Sequence, residues 1–316
     1  MAASETTVAA DFPAAEVALA ASFERHRPVL FAIAYRMLGS VADAEDILQD
    51  AYIRFQRAAD RPIGSEQALL VTIVSRLCIT YLQSARVRRE AYVGQWLPEP
   101  LETAPAADAE APIDESLSLA LLVVLQRLAP LERIVFVLRE VLDYSFAQLA
   151  QVVERTEENC RQILRRARLR LESAQTRFAP STKLQEEVLK EFLQVIAGGQ
   201  LEPLLTLLSQ DVVLHSDGGG KGPAFPVPIA GIDRVARGLI GANRKLVAKG
   251  LRTHLLTLNG QPAAVSFRDR QPYSVVSVQL ESRKITALFI ISNPDKLRHL
   301  VVPESTCLDV SPPEAS

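Results

Sequence analysis

Apolar positions recur at helical spacing through the first half of the chain and fall into short, partly alternating blocks in the last third. Ile33, Tyr35, Met37 and Leu38, then Ile47, Leu48, Tyr52 and Phe55, follow each other near every third or fourth residue. They predict a helical unit from Phe23 to Arg89. Gly39-Ser40 interrupts it, Asp43 reads as a helix start, and "DRPIGS" separates off a last helix, "EQALLVTIVSRLCITYLQSARVRRE". A second helical block runs from about 115 to 177. Within it Ser145 with Gln148 forms a capping-box pattern, and Thr156 is placed to cap the next helix, with Glu157 and Glu158 near its positive end.

After Lys183 the pattern changes. A helix, "KLQEEVLKEFLQVIA", stops at Gly198-Gly199, and a short one, "EPLLTLLSQ", follows it. Five strand-like runs come next: "DVVLHSD", "RTHLLTLNG", "PAAVSFRD", "YSVVSVQLE" and "KITALFIIS". Asn259-Gly260 signals a hairpin, and "GIDRVARGLIGANRKL" reads as a helix among the strands. The expected fold class is multidomain: two all-α helical domains, the second with a helix-turn-helix, and a C-terminal α+β domain whose helices back an antiparallel sheet. The expected boundaries are 1–20 (flexible N-terminus), 21–92 (first helical domain), 93–114 (linker), 115–178 (second helical domain), 183–300 (α+β domain) and 301–316 (tail).

Composition changes this picture little. The 316 residues carry a formal net charge of −2, which alone does not suggest a nucleic-acid binder. The charge is segregated, however. Lys and Arg crowd two helical segments, and acids gather near the N-terminus, the linker and the tail. Cys78, Cys160 and Cys307 stand far apart without a histidine cluster, so neither a disulfide framework nor a metal site is expected. No cofactor motif is present. No signal peptide is read, and the apolar run "LALLVVLQRLA" is too short to span a bilayer, so a cytoplasmic location without membrane contact is expected.

The chemistry lies in the basic helices. From Thr156 to about Leu171, one stripe (Cys160, Ile163, Leu164, Ala167, Leu171) is apolar. The other side carries Glu158, Gln162 and Arg165, flanked by Arg161 and Arg166. A helix of this kind after a capped helix and short turn fits the helix-turn-helix, whose second helix reads the major groove. Gln suits adenine, Arg suits guanine, and further arginines suit phosphates. The plainer alternative is a solvated basic face. A second basic site combines Arg76, Thr80, Gln83 and Arg86 with Arg88 and Arg89. Between the two sites lies "YVGQWLPEPLETAPAADAE", which holds the only tryptophan, Trp96.

Two segments carry a family resemblance. "AYRMLGSVADAEDILQDAYIRFQRA" resembles the polymerase-binding region of bacterial sigma factors of the extracytoplasmic-function (ECF) class. "LAPLERIVFVLREVLDYSFAQLAQVVERTEENCRQILRRARLRL" is similar to their −35-binding region. The resemblance implies that Asp46, Gln49 and Asp50 dock on core RNA polymerase. It assigns Arg76, Thr80, Gln83, Arg86, Arg88 and Arg89 to the −10 element. Thr156, Glu158, Asn159, Arg161, Gln162, Arg165 and Arg166 fall to the −35 element. Thr80 and Gln83 stand where acidic and basic residues are more usual.

The last domain resembles the SnoaL-like polyketide-cyclase fold, a cone-shaped relative of ketosteroid isomerase that a subgroup of these factors carries. The subgroup's marks are "WLPEP" (Trp96, Leu97, Pro98 to Pro100), "DGGGK" (Asp217, Gly218, Gly219, Gly220, Lys221) and "NPDKL" (Asn293, Pro294, Asp295, Lys296, Leu297). These residues are expected to form a regulatory contact, with Trp96 packed near the glycine loop or the "NPDKL" segment. His215, Asp217, His254 and Tyr273 are candidate pocket residues on strands. Strand alternation is not expected to bring all four into one pocket, and single polar residues on strands usually face solvent, so no catalysis is expected. The partners implied are core RNA polymerase, promoter DNA and an unidentified small-molecule ligand or regulator of the C-terminal domain. Two other readings stay open: a helix-turn-helix regulator that does not bind the polymerase clamp, and a cyclase- or isomerase-like enzyme with a DNA-binding appendage.

Overall fold

The computed structural model describes residues 14–58, 65–90, 92–103, 118–171, 181–247 and 250–303, without the side chains of 14–16, 85–90 and 245–247. Three helices open the chain: α1 (Ala14–Leu38), α2 (Val41–Ala58) and α3 (Glu66–Glu90). Gly39 lies at φ +70° and ends α1. The cap of α2 is Ser40 rather than Asp43, since Ser40 Oγ accepts the Asp43 N–H at 3.2 Å. Asp43 instead sits in the first turn, where its charge suits the helix dipole.

Four helices follow: α4 (Leu119–Leu125), α5 (Pro130–Phe136, continued by a π-helical turn over Val137–Val141), α6 (Phe146–Val153) and α7 (Glu157–Leu171). The capping box of Ser145 and Gln148 starts α6, and the Asn159 N–H donates to Thr156 Oγ1 at the start of α7. All seven helices share one apolar core, in which Tyr35, Phe55, Val74 and Cys78 of the first three meet Ile134, Leu138 and Leu149 of the next. Arg133 of α5 reaches into it and donates to the Met37 carbonyl at 2.5 Å. Burial beside this core pushes the Cys78 thiol well above its usual range.

Helices α8 (Thr182–Gly198) and α9 (Leu201–Leu207) lead into six strands and α10 (Ile232–Val247). The strands are β1 (Leu208–Asp217), β2 (Ile229–Ala230), β3 (Arg252–Leu258), β4 (Gln261–Arg268), β5 (Gln271–Glu281) and β6 (Lys284–Ile291). A short α11 (Pro294–Leu297) follows. The sheet order is β2-β1-β6-β5-β4-β3.

The sheet is mixed, not antiparallel as expected, because β1 runs parallel to β6. After β1 the chain crosses over through α10 to the far edge, then returns by three hairpin reversals that bring β6 alongside β1 in the same direction. The two-residue β2 gave no periodic signal. Asn259 (φ 54°) and Gly260 (φ 71°) make the tight turn between β3 and β4.

Strand alternation splits the sheet between two cores. One face packs on α8, α9 and α10 through Leu214, Ala264, Val278 and Leu288. The other carries Val265, Phe267, Val275 and Phe289 and is covered by Leu97 and Leu119 from far upstream. Among the described residues, no helix is long and apolar enough to cross a membrane.

Candidate nucleic-acid interfaces and the docked linker

On α2, Ile47, Leu48 and Ala51 face the core, which leaves Asp46, Gln49 and Asp50 exposed on the opposite side. On α7, the inward stripe is Cys160, Ile163, Leu164, Ala167 and Leu171. Thr156, Glu158, Asn159, Arg161, Gln162, Arg165 and Arg166 are all exposed. Arg161 is partly engaged within the chain, pairing with Glu157 at 2.8 Å and lying over the Phe146 ring. On α3, Arg76, Thr80 and Gln83 are exposed, while the side chains of Arg86, Arg88 and Arg89 lie outside the described residues. Arg76 forms an ion pair with Glu154 at the end of α6, 2.7 Å away. The two basic helices therefore belong to one packed body, joined through α6.

Residues 92–103 lie between the helical body and the C-terminal domain and bond to both. The centre is Asp217, fully buried at the end of β1. Its Oδ1 accepts from Tyr92 OH (2.6 Å) and the Gly219 N–H (3.0 Å), and its Oδ2 accepts from the Leu97 N–H (2.8 Å) and Lys296 Nζ (2.7 Å). Four donors fill the acceptor capacity of a carboxylate, which is what lets a charge survive such burial. Lys296 also donates to the Leu97 carbonyl and stands 4.0 Å from the Trp96 ring centroid. Asn293 Nδ2 donates to Tyr92 OH at 2.8 Å, and burial and the Asp217 carboxylate push that phenol well above its usual range.

The glycines of the loop are there for close approach. A Cβ on Gly219 (φ +57°) would sit 2.3 Å from Asn293 Nδ2. Gly218 and Gly220 flank it, and Lys221 pairs with Asp295 across the loop, holding that carboxyl below its usual range. Pro294 opens α11 behind its cap, Asn293, and Leu297 is buried beneath.

Further along, the linker turns toward the helices. Tyr35 OH donates to the Glu99 carbonyl (2.7 Å) and accepts from Asn259 Nδ2 (2.6 Å), so one buried phenol joins α1, the linker and the β3–β4 turn. The Glu99 carboxylate accepts from the Val41 N–H at 2.8 Å and lies 3.3 Å from His299 Nδ1. Burial works against the Glu99 charge, but the bonds from His299 and the Val41 N–H outweigh it and leave the acid below its usual range. His299 is raised, mainly by Glu99. Leu101 and Thr103 bond to Asn259 and Thr257 along the edge strand β3, with Glu102 bridging Leu258 antiparallel. This covers an edge that would otherwise present unpaired backbone.

The structure thus brings together Trp96, Leu97, Asp217, Gly219, Asn293 and Lys296, with Pro98 buried against Gly39. It adds Tyr35, Gly39, Tyr92, Asn259 and His299, none of which was singled out for this contact, and gives Glu99 of the "WLPEP" motif partners in Val41 and His299. The Asn259-Gly260 turn and the Gly39 break were visible, but only as turns. A Cβ on Gly39 would lie 2.8 Å from Trp96 Cη2 in a left-handed backbone. Gly39→Ala is therefore expected to weaken linker docking by about 1–3 kcal/mol, read as faster protease cleavage within residues 92–103.

His215 and His254 are not solvent-facing, contrary to expectation, while Asp217 lies in the linker contact. His215 stacks on Phe289 (5.3 Å), His254 meets Phe267 edge-on (5.7 Å), and both rings belong to the face covered by Leu97. Tyr273 lies apart under Arg268. Gln95 Nε2 bonds His215 Nδ1 at 2.7 Å, and burial with Arg127 nearby holds that imidazole below its usual range.

Residues 22–88 match the family model Sigma-70 region 2, and residues 118–171 match Sigma-70, region 4. The ECF RNA polymerase sigma factor SigJ of Mycobacterium tuberculosis is 35% identical over 291 residues, covering 87% of this chain and 91% of that protein. The probable ECF sigma factor SigI of the same species is 30% identical, covering 88% and 94%. The crystal structure of M. tuberculosis SigJ aligns with a TM-score of 0.69 and 30% identity, over 88% of this chain and 97% of that one.

Proposed function

The chain belongs to the ECF RNA polymerase sigma factors, and from that premise we propose that its SnoaL-like C-terminal domain restrains promoter binding in cis through the docked linker. The sigma-factor activity itself follows from the family: binding of core RNA polymerase, promoter recognition and initiation, without enzymatic turnover. Asp46, Gln49 and Asp50 are the proposed contacts to core polymerase, acting where that polymerase is, in the cytoplasm. The exposed face of α7 is the proposed −35 reader and the exposed face of α3 the proposed −10 reader.

The observation that carries the restraint is the packing of α3 on α6 while residues 92–103 bond to both α1 and the sheet. By their names the two promoter elements lie about 25 base pairs apart, about 85 Å at ~3.4 Å per pair. Helix α3 packs on α6 and α6 on α7, so at interaxial distances of about 8–10 Å the two reading helices pass on the order of 20 Å from each other. That is far short of the span between the elements, so the helical domains must separate for initiation. The docked linker opposes that separation, and any ligand of the C-terminal domain would act by shifting this balance.

The test is transcription from a cognate promoter with core RNA polymerase, comparing the full chain with Trp96→Ala. Several-fold more initiation by the variant, with faster proteolysis of the linker, is the expected result. Unchanged initiation from a variant whose linker is cleaved faster would refute the restraint.

A further inference from the structure

Helix α4 has an unusual composition for a surface helix: its seven residues, LALLVVL, are apolar on every side. A helix apolar all round must be covered all round. Leu122 and Leu125 enter the core of the helical body. Leu119, with Ala120 and Val123, enters the core on the side of the sheet opposite α8, α9 and α10. The first helix of the −35-binding domain is thus a wedge between two cores, and it serves as part of the lid over a sheet face that α8, α9 and α10 do not cover.

This lid leaves polar atoms unmet. His254 shares the covered face with Leu256 and Leu258, is 5% exposed, and its Nδ1 has no hydrogen-bond partner. Gln95 Oε1 from the linker and Gln126 Nε2 at the end of α4 are buried without a partner as well. A well-matched permanent interface satisfies such groups, and an unmet imidazole nitrogen in an apolar surround is a standing bias toward any occupant that can bond to it. The surround itself is specific: two aromatic rings, Phe267 and Phe289, with branched aliphatic neighbours.

From this we infer that the face is a binding site for a flat apolar small molecule carrying one hydroxyl or carbonyl, which replaces Leu119 and Val123, bonds to His254 and releases α4 from the C-terminal domain. The inference rests on the reading that this domain restrains the helical domains in cis. The ligand and α4 exclude each other, so binding and release are the same equilibrium viewed from two sides. The polar atom of the ligand recovers what the lid forfeits at His254, and its ring recovers the apolar cover that Leu119 gives up.

The probes are 1-naphthol and its methyl isostere, 1-methylnaphthalene, titrated against the full chain. The wild type is expected to bind 1-naphthol about tenfold more tightly than the isostere, one good hydrogen bond being worth about that factor. His254→Leu should abolish this preference while keeping affinity for 1-methylnaphthalene. Leu119→Ala, which thins the lid, should tighten both by about tenfold. Amide hydrogen exchange over residues 119–125 should speed up when 1-naphthol is bound to the wild type. Absence of binding to the wild type and to Leu119→Ala overturns the inference. So does binding that is indifferent to both substitutions, since it lies elsewhere. Binding that frees α4 without changing initiation would keep the site and remove the restraint. No binding alongside a Trp96→Ala variant with raised initiation would do the reverse.

Discussion

Lys296→Met is expected to undock the linker and destabilise its contact with the C-terminal domain by about 3–5 kcal/mol, the usual cost of stranding a buried charge. The substitution removes the cation from Asp217, which is fully buried, and leaves the Leu97 carbonyl and the faces of Trp96 and Tyr92 without their ammonium partner. Cleavage within residues 92–103 and thermal melting of the C-terminal domain report it directly. The double variant Asp217→Asn with Lys296→Met removes both charges and should recover a substantial part of the loss, because the coupled pair is not additive. A single variant as protected as the wild type would show that the ion pair does not hold the linker.

Asp46→Lys with Asp50→Lys should weaken binding to core RNA polymerase by at least about a hundredfold, the acidic face of α2 being the proposed match for a basic polymerase surface and like-charge contact across an interface costing several kcal/mol. Both side chains are exposed and on the face of α2 away from the core, so folding should change by no more than about 0.5 kcal/mol. Competition against the wild type for core enzyme measures the first quantity, and thermal melting the second. Undiminished competition would move the polymerase contact off this face.

What the sequence reveals follows the range of the interactions involved. The caps at Ser145 and Thr156, the turn at Asn259-Gly260 and the inward stripe of α7 depend on neighbours a few residues away, and each is visible as a local pattern. The helical domains and the α+β character follow from the same periodicities. The parallel pairing of β1 with β6 does not, because a strand's own residues say nothing about which partner comes back beside it. His215 and His254 read as solvent-facing for a similar reason. Their covering groups, Leu97 and Leu119, lie roughly a hundred residues or more upstream. The linker contact is approachable because a tryptophan just before a proline-stiffened segment is costly to leave in water. Its other anchor, the Tyr35 hydroxyl, looks like any core phenol until Asn259 is placed beside it.

That last pairing has a consequence for synthesis. Asn259 is made 224 residues after Tyr35. At about 5–20 residues per second, a ribosome takes roughly ten to forty-five seconds to bridge that interval. In the later part of that interval α1 to α7 are complete while the β3–β4 turn and the "NPDKL" segment that will clamp residues 92–103 do not yet exist. Every newly made molecule passes through a stage with both basic helices present and the clamp still untranslated. Messages that end early leave chains fixed at that stage, so the clamp is a property of finished chains alone.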